Sequence, residues 1–505
     1  MSGGLVYWLP LLVVMISAAA GLAIFVAGEH RPRLRLTMNL FAALAKVVLV
    51  ALMGLLVMGG QVPEFSLPLL PGLDLKLRAD ALSMLFVTLS AVLWLVTTVY
   101  AVAYLERGSD RARFFGFFSL CVTATMGVAM AGNLLTFFIF FELLTLATWP
   151  LVVHSGRREA FAGGRTYLAH TLGGSLFLLV GIIWLYALTG NQDFIAGGYL
   201  SDLGIDQSDS LRMVFWLLVI GFGVKAALFP LHGWLPRAMV APAPVSALLH
   251  AVAVVKAGAF GIVRLVEDIY GFELVRTLGL DLPLLLAASF TILYGSVIAL
   301  RQSDIKKRLA YSTVSQVSYI ALGVAIGGPI AAIGAIVHLV HQGLMKITLF
   351  FCAGIFANLL GVKSIHQMDG IGRRLPWTSL CFTIAALGMI GLPPIAGFIS
   401  KWYLGAGAVA VGREWVILVL LASTLLNAAY FLPLIKRIWL HAPPATWPNE
   451  VAPRHLEVAG LVGATVVTTL MVVAAGLFAG HALSPLGWVT RIVQGYFDGA
   501  EVYIP

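Results

Sequence analysis

The chemistry available to this chain sits in a few charged side chains set in apolar sequence. Lys46, Lys225, Lys256, Lys346 and Lys401 each fall inside a run of about twenty apolar residues. One carboxylate sits in the same kind of setting: Glu142, in Thr136-Phe-Phe-Ile-Phe-Phe-Glu142-Leu-Leu-Thr-Leu-Ala. Insertion scales charge ~2.5–3.5 kcal/mol for such a residue at mid-membrane, so it normally faces a polar interior, pairs with another charge, and marks an ion or proton path. A lysine near a helix end can instead snorkel its ammonium to the surface. That reading weighs most on Lys46, which has no other polar motif around it.

The segments around two of these lysines are interrupted. Lys225 is followed by Pro230, Gly233 and Pro236, and Lys401 is preceded by Gly391-Leu-Pro393-Pro394. Proline removes a backbone donor and clashes with the preceding turn. A broken helix at membrane depth survives only where protein or water satisfies the freed groups, and a pair of broken helices in corresponding halves points to a transporter's working site. Kinks that only shape packing are the alternative.

Histidines add groups that change charge near neutral pH, as a proton relay needs. His338 and His341 are spaced i,i+3 and share one side of a helix. His250 lies before Lys256 at a spacing that puts them ~120° apart on an ideal helix, so they share a face only if the helix is distorted. Hydrogen-bonded core histidines are the competing reading, and His170, alone in its segment, reads as structural. No metal site is expected, because the histidine pair lacks the further ligands that zinc needs. Cys121, Cys352 and Cys381 form no cluster and read as small core hydrophobes.

The elements that must position these groups follow from composition. Of 505 residues, 60% are hydrophobic and only 11% charged, against a soluble norm near ~25% charged. An ordinary soluble enzyme, a nucleic-acid binder and a disordered chain are excluded. A hydrocarbon core of ~30 Å takes about 20 apolar residues per helix, which yields about fourteen segments in an all-α polytopic membrane protein with no soluble domain. The first, roughly Leu5 to Ala27, has no basic n-region and reads as a span rather than a signal peptide. No stretch shows the alternation of an outer-membrane strand. With the N-terminus placed outside, twenty basic residues fall in inside loops, among them Arg31, Arg33, Arg35, Arg107, Arg308 and Arg454. Seven fall outside: Lys76, Arg78, Arg212, Arg264, Arg276, Arg413 and Arg491. The positive-inside rule is met, and an even span number puts both termini outside. The loop with Asp193, Asp202, Asp206 and Asp209 then also lies outside. The net charge of +9 reflects these loops and the buried lysines, not an acidic partner.

Several runs resemble one family. Arg301-Gln-Ser-Asp304-Ile-Lys306-Lys307-Arg308-Leu-Ala-Tyr311-Ser-Thr-Val-Ser-Gln316 resembles the DIKRLLAYSTISQ signature of antiporter-like subunits. These comprise the proton-pumping L, M and N subunits of respiratory complex I and the A and D subunits of Mrp-type Na⁺/H⁺ antiporters. Pro242-Ala-Pro244-Val-Ser-Ala-Leu-Leu-His250-Ala-Val-Ala-Val-Val-Lys256-Ala-Gly258 and His341-Gln-Gly-Leu-Met-Lys346 are similar to two further family segments. The resemblance implies one transmembrane domain over 1–505, with N-terminal helices in 1–110, a first repeat in 111–265, a second in 282–440 and a last helix in 455–480. The repeats would be inverted five-helix units, helices 4–8 and 9–13, each with a broken helix. By motif match Glu142 and Lys225 would be the ion pair of a first half-channel and Lys256 the central relay. His250, His338, His341 and Lys346 would relay or gate, Lys401 would be the terminal residue, and Pro230, Pro236, Pro393 and Pro394 would mark the helix breaks. Lys at position 401 favours the L, N or Mrp D pattern, and the absence of a long lateral helix after helix 14 counts against L. The stretch Glu142-Leu-Leu-Thr-Leu-Ala-Thr-Trp-Pro-Leu differs from the complex I versions, so the resemblance leans to an Mrp D-like subunit or its equivalent in a membrane-bound hydrogenase or other redox complex. Lys46 matches no motif of the family.

The implied function is a proton-translocating or monovalent cation/proton antiporter subunit of a multisubunit bacterial or archaeal cell-membrane complex. Its expected partners are other membrane subunits, the lipid bilayer and protons, with Na⁺ as a second candidate ion, and no nucleic acid. No cofactor is expected. The chain has no GxxxxGK[ST] loop, dinucleotide fingerprint or redox ligand set, so the driving energy must come from an ion gradient or a redox partner. Rival readings are a proton-pumping subunit of a redox complex, a non-conducting scaffold subunit, and a quinone-handling subunit, for which the sequence shows no headgroup pocket.

Overall fold

A computed structural model describes residues 3–70, 72–106, 108–200, 208–451 and 455–497. Arg107, Asp202, Asp206 and Arg454, counted above among the loop charges, lie outside the described residues, as do both chain ends.

The chain opens with α1 (Gly3–Ala27) and α2 (Pro32–Met58), then a hairpin of β1 (Glu64–Leu70) and β2 (Leu73–Arg78). Next come α3 (Ala81–Tyr104), α4 (Arg111–Ala129), α5 (Leu134–Val152), α6 (Arg158–Thr189) and α7 (Ser208–Ala226). Short pieces follow: α8 (Trp234–Arg237), α9 (Ala243–Ala251), α10 (Val254–Arg264), a π-turn over Leu265–Tyr270, and α11 (Phe272–Thr277). The remainder is α12 (Asp281–Leu300), α13 (Ile305–Ile326), α14 (Pro329–Leu360), α15 (Ile371–Arg374), α16 (Pro376–Ile390), α17 (Ala396–Ala410), α18 (Trp415–Leu440), α19 (His455–Leu477) and α20 (Pro485–Tyr496). Among the described residues, 13 helical stretches are long and apolar enough to cross a membrane. The one expected span missing from that set is divided into α16 and α17, of 15 residues each, so the fourteen segments are accounted for.

The chain forms two compact units. The first comprises residues 1–98, 108–225 and 252–280, and the second residues 99–107, 226–251 and 281–505. In the first unit, α2 shows the inside-out pattern of a lipid-facing helix. Asn39, Ala42, Ala43, Lys46, Val50 and Met53 are buried, while Phe41, Leu44, Val48 and Leu55 are exposed. In lipid the apolar face turns outward, and polar groups are satisfied inside the protein.

The hairpin is an element the sequence reading did not foresee, its strands of seven and six residues being too short for a membrane-spanning strand. Leu73-Asp74-Leu75-Lys76-Leu77-Arg78 alternates and pairs antiparallel with β1, Glu64 opposite Arg78. It is stitched to the helices of its unit: Gly132 N–H donates to the Lys76 carbonyl at 2.8 Å, and the Lys76 ammonium meets Asp193 at 2.5 Å. Arg264, placed above in an outside loop, is instead a buried residue closing α10. It lies between Asp80 at 2.8 Å and Asp268 at 2.5 Å and donates to Ser83 Oγ at 2.8 Å. Glu142 is therefore not the lone carboxylate of the interior, since Glu267, Asp268 and Asp281 are also buried. Outside the spans, Asp80 is held below the usual carboxylate range. Burial opposes this, but the Arg264 charge and the bonds from Arg264 and Ser83 outweigh it.

In the second unit the 32-residue α14 runs through a fully buried environment and carries His338, His341 and Lys346. The sequence signature around Asp304 turns out to be an anchor. Asp304 caps α13 by accepting from the Lys307 N–H at 2.8 Å, as an N-cap carboxylate should. Arg308 donates to the carbonyls of Leu300, Gln302 and Tyr430 at 2.8–3.1 Å, and Lys306 to that of Ala241 at 2.6 Å.

Candidate functional site

In the first unit, α5 and α7 bring Glu142 and Lys225 together. The Lys225 ammonium is fully buried and lies 3.8 Å from Glu142 Oε1, whose side chain is 20% exposed. The same ammonium donates to the Phe141 carbonyl and sits 3.4 Å from the centre of the Phe141 ring, a cation–π placement strengthened by desolvation. Glu142 Oε1 also accepts from Ser175 Oγ on α6. Sequence reasoning missed Ser175, because serines in membrane helices commonly bond their own preceding turn, as Ser175 also does to the Thr171 carbonyl at 2.9 Å.

Lys225 stands one residue before α7 ends at Ala226. Ala227 then takes a positive φ of 58°, and the chain passes through Pro230 into a single 3₁₀ turn at Leu231–Gly233. Pro230 thus lies in the break, whereas Pro236 lies one step further on, inside α8. The predicted disturbance near His250 and Lys256 is also present: α9 stops at Ala251 and α10 starts at Val254. Lys256 is fully buried, and its ammonium has no hydrogen-bond partner among the described residues.

In the second unit the polar groups gather on α14. His338 bridges Ser400 Oγ at 2.8 Å and the Gln316 carbonyl at 3.1 Å. Lys346 donates to the Leu309 carbonyl at 3.1 Å and to Ser312 Oγ. His250 is fully buried, with its ring 4.6 Å from that of Phe350 and neither nitrogen bonded among the described residues. The side-chain amides of Gln316 and Gln342 are likewise buried without a protein partner among the described residues.

Lys401 on α17 belongs to the second break. α16 ends at Ile390 and is capped by Gly391, whose φ of 95° is open to glycine and strained for other residues. Pro393 and Pro394 fill the gap before α17. The Lys401 ammonium donates to the last α16 carbonyls, Met389 at 3.3 Å and Ile390 at 2.7 Å, and to Thr424 Oγ1 at 3.2 Å. A helix C-terminus carries partial negative charge, so α16 itself acts as the counter-ion. Lys401 also lines a cavity of about 460 Å³ with Phe398, Trp402, Leu421 and Thr424.

Comparison with known proteins finds relatives over most of the chain. The family model for NADH:quinone oxidoreductase/Mrp antiporter transmembrane subunits matches residues 131–427. The N subunit of the NADH-quinone oxidoreductase of Desulforudis audaxviator is 36% identical, over 86% of this chain and 87% of its own length. The D subunit of the Na(+)/H(+) antiporter of Bacillus subtilis is 28% identical, over 93% of each chain. Among solved structures, a chain of the Mrp complex from Dietzia sp. DQ12-45-1b superposes with a TM-score of 0.86 at 24% identity, covering 99% of this chain and 98% of that one.

Proposed function

Since this chain belongs to the NADH:quinone oxidoreductase/Mrp antiporter transmembrane family, we propose that it is a cation/proton antiporter-type subunit of a multisubunit membrane complex. It moves protons along its buried lysines, glutamate and histidines. The observation that carries this reading is the Glu142–Lys225 pair, 3.8 Å apart at the end of an interrupted helix. Glu142 stabilises the charged form of Lys225 by Coulombic attraction. When a driving event separates the pair, the buried ammonium loses its partner and gives up its proton.

The remaining roles belong to the same proposal. Lys256 is the central relay, served by His250 and by His338, His341 and Lys346 on α14. Lys401 is the terminal donor, and Pro230, Pro236, Pro393 and Pro394 mark the breaks. Two inverted repeats, helices 4–8 and 9–13, would house these groups, with residues 1–110 as N-terminal helices. Both termini lie outside a bacterial or archaeal cell membrane, as the split of basic residues supports, twenty inside against six outside once the buried Arg264 is set aside. Moving one charge against 100 mV costs ~2.3 kcal/mol, within reach of one opening ion pair. The test is Glu142→Ala and Lys225→Ala in the assembled complex. Both should abolish coupled transport while assembly persists, and full transport by either sinks the reading.

A second reading, a proton-pumping subunit of a redox complex, is favoured by the 36% identity to a chain named as the N subunit of an NADH-quinone oxidoreductase. Purification with native partners separates the two. Electron-transfer subunits in the complex support the redox reading, and small membrane subunits alone support the antiporter.

A further inference from the structure

Lys46 is explained by none of the roles above. It is fully buried on α2, so it is not a snorkelling side chain. Its ammonium lies 2.5 Å from Ser17 Oγ on α1 and 4.8 Å from the centre of the Trp94 ring on α3. Ser17 Oγ is 2.9 Å from Thr123 Oγ1 on α4, and either hydroxyl can be the donor. No carboxylate pairs with Lys46 among the described residues.

The polar groups continue along α2 towards one end. Arg35, Asn39 and Lys46 fall on one buried stripe of the helix. Ser119 Oγ donates to Asn39 Oδ1 at 3.4 Å, one turn of α4 before Thr123, and the Asn39 amide nitrogen has no partner among the described residues. At the end of the stripe Arg35 pairs with Glu29 at 3.1 Å, and Glu29 is 45% exposed. The helices against Lys46 bring no competing charge to it. α1 carries only Tyr7, whose hydroxyl is bonded to the Ser66 carbonyl. The α3 segment around Trp94 has no titratable side chain between residues 81 and 99. On α4, Cys121 turns to Thr148, while Arg111 and Arg113 stand in the first turn, ten or more residues before Thr123, with Arg113 donating to the His154 carbonyl.

We propose that Lys46 is a second proton-binding site, loaded from the Glu29–Arg35 end through Asn39, Ser119, Thr123 and Ser17, and separate from the Glu142–Lys225 pair. The site's ligand is a proton. The neutral amine accepts it on its lone pair, and the resulting ammonium donates to Ser17 Oγ. Ser17 can then no longer donate to the amine, so the Ser17–Thr123 pair reverses its direction of donation, which two hydroxyls allow without moving a heavy atom. This use of the site rests on the reading of the chain as a proton carrier, but binding itself does not need transport to be seen.

The test therefore has two parts, both on the purified whole complex. Proton release is counted with a pH dye during an alkaline jump, for wild type, Lys46→Met and Lys46→Arg. Each variant should release about one proton fewer per copy, since arginine keeps its proton throughout. Transport is then followed across pH for Lys46→Arg, Ser17→Ala and Thr123→Val, which keep the site's size should Lys46→Met not assemble. A rate loss of about fivefold or more in Lys46→Arg, with a displaced pH profile and a smaller loss in the hydroxyl variants, is the expected result. Unchanged proton counts overturn the proposal, and so does a wild-type pH profile in assembled Lys46→Arg. Failure of the wider reading looks different, because Glu142→Ala would then also transport normally.

Discussion

Glu142→Gln is the sharpest perturbation available, because it removes a charge and leaves the shape. Glutamine can still accept the bond from Ser175 Oγ, so the loss is confined to the attraction on Lys225. At 3.8 Å and an effective dielectric of ~20, two unit charges interact by about 4 kcal/mol. The partial exposure of Glu142 lets solvent screen the pair, which brings the range to about 2–4 kcal/mol. In the equilibrium for loading a proton on Lys225 this is about 30- to 1,000-fold. The assay is proton movement into proteoliposomes carrying the purified complex, followed with a ΔpH dye after a cation pulse or an imposed potential. Turnover should fall by at least the lower figure, with the complex intact on a sizing column. Ser175→Ala removes only one charge-assisted bond and should cost less, about 1.5–3 kcal/mol. An assembled Glu142→Gln complex working within about twofold of wild type would refute the pair as the loading device.

Lys401→Met removes a cation held by the Met389 and Ile390 carbonyls and Thr424. Transport should fall at least tenfold in the same vesicles while the complex still purifies, whereas Thr424→Val should cost only about 1 kcal/mol. His338→Ala removes two hydrogen bonds, to Ser400 Oγ and to the Gln316 carbonyl, each worth about 0.5–1.5 kcal/mol, and should cost about 1–3 kcal/mol of stability, read as a lower melting temperature in detergent. His154, just beyond α5, is held below its usual 6.5, chiefly by burial and then by the Arg113 charge, with Asp110 and Glu29 opposing. Its neutral form is favoured in the folded state, so stability is present above 6.5 and declines as pH falls through that value towards the lower folded one. A melting series across that range should flatten on its acid side in His154→Gln.

What the sequence made legible, and what it hid, follows from the length scale of each signal. The lysines stand out because membrane insertion makes each one costly; Lys46, Lys225, Lys256 and Lys346 are fully buried, and Lys401 is half-buried against the end of α16. The interrupted segments stand out because proline cannot be accommodated silently. The hairpin at Glu64–Arg78 was hidden because a window sized for a helix averages over its six- and seven-residue strands. Arg264 was misplaced because Arg264, Glu267 and Asp268 look like loop charges, whereas α10 continues as a π-turn through Tyr270 and all three are buried. Pairing was hidden most of all. Nothing in the spacing of Ser17, Ser175 or Thr424 distinguishes them from hydroxyls bonded to their own helix, such as Thr125 to the Cys121 carbonyl at 2.8 Å.

The two lysines at broken helices face counter-charges of different kinds, which limits how each can be switched. Lys225 is balanced by a carboxylate, a group that can itself take up a proton or move away, so its charge can respond to chemistry at Glu142. Lys401 is balanced by backbone carbonyls closing α16, and these neither titrate nor leave. Its surroundings can change only by geometry: by shifting the end of α16 relative to α17, or by a new charge arriving in the cavity lined by Phe398 and Trp402. The glycine at 391 and the prolines at 393 and 394 stand at the one place where such a shift would be made. A mutation that stiffens that turn should therefore act on Lys401 without touching the Glu142–Lys225 pair, whereas no stiffening at the α7 break can substitute for the missing carboxylate in Glu142→Gln.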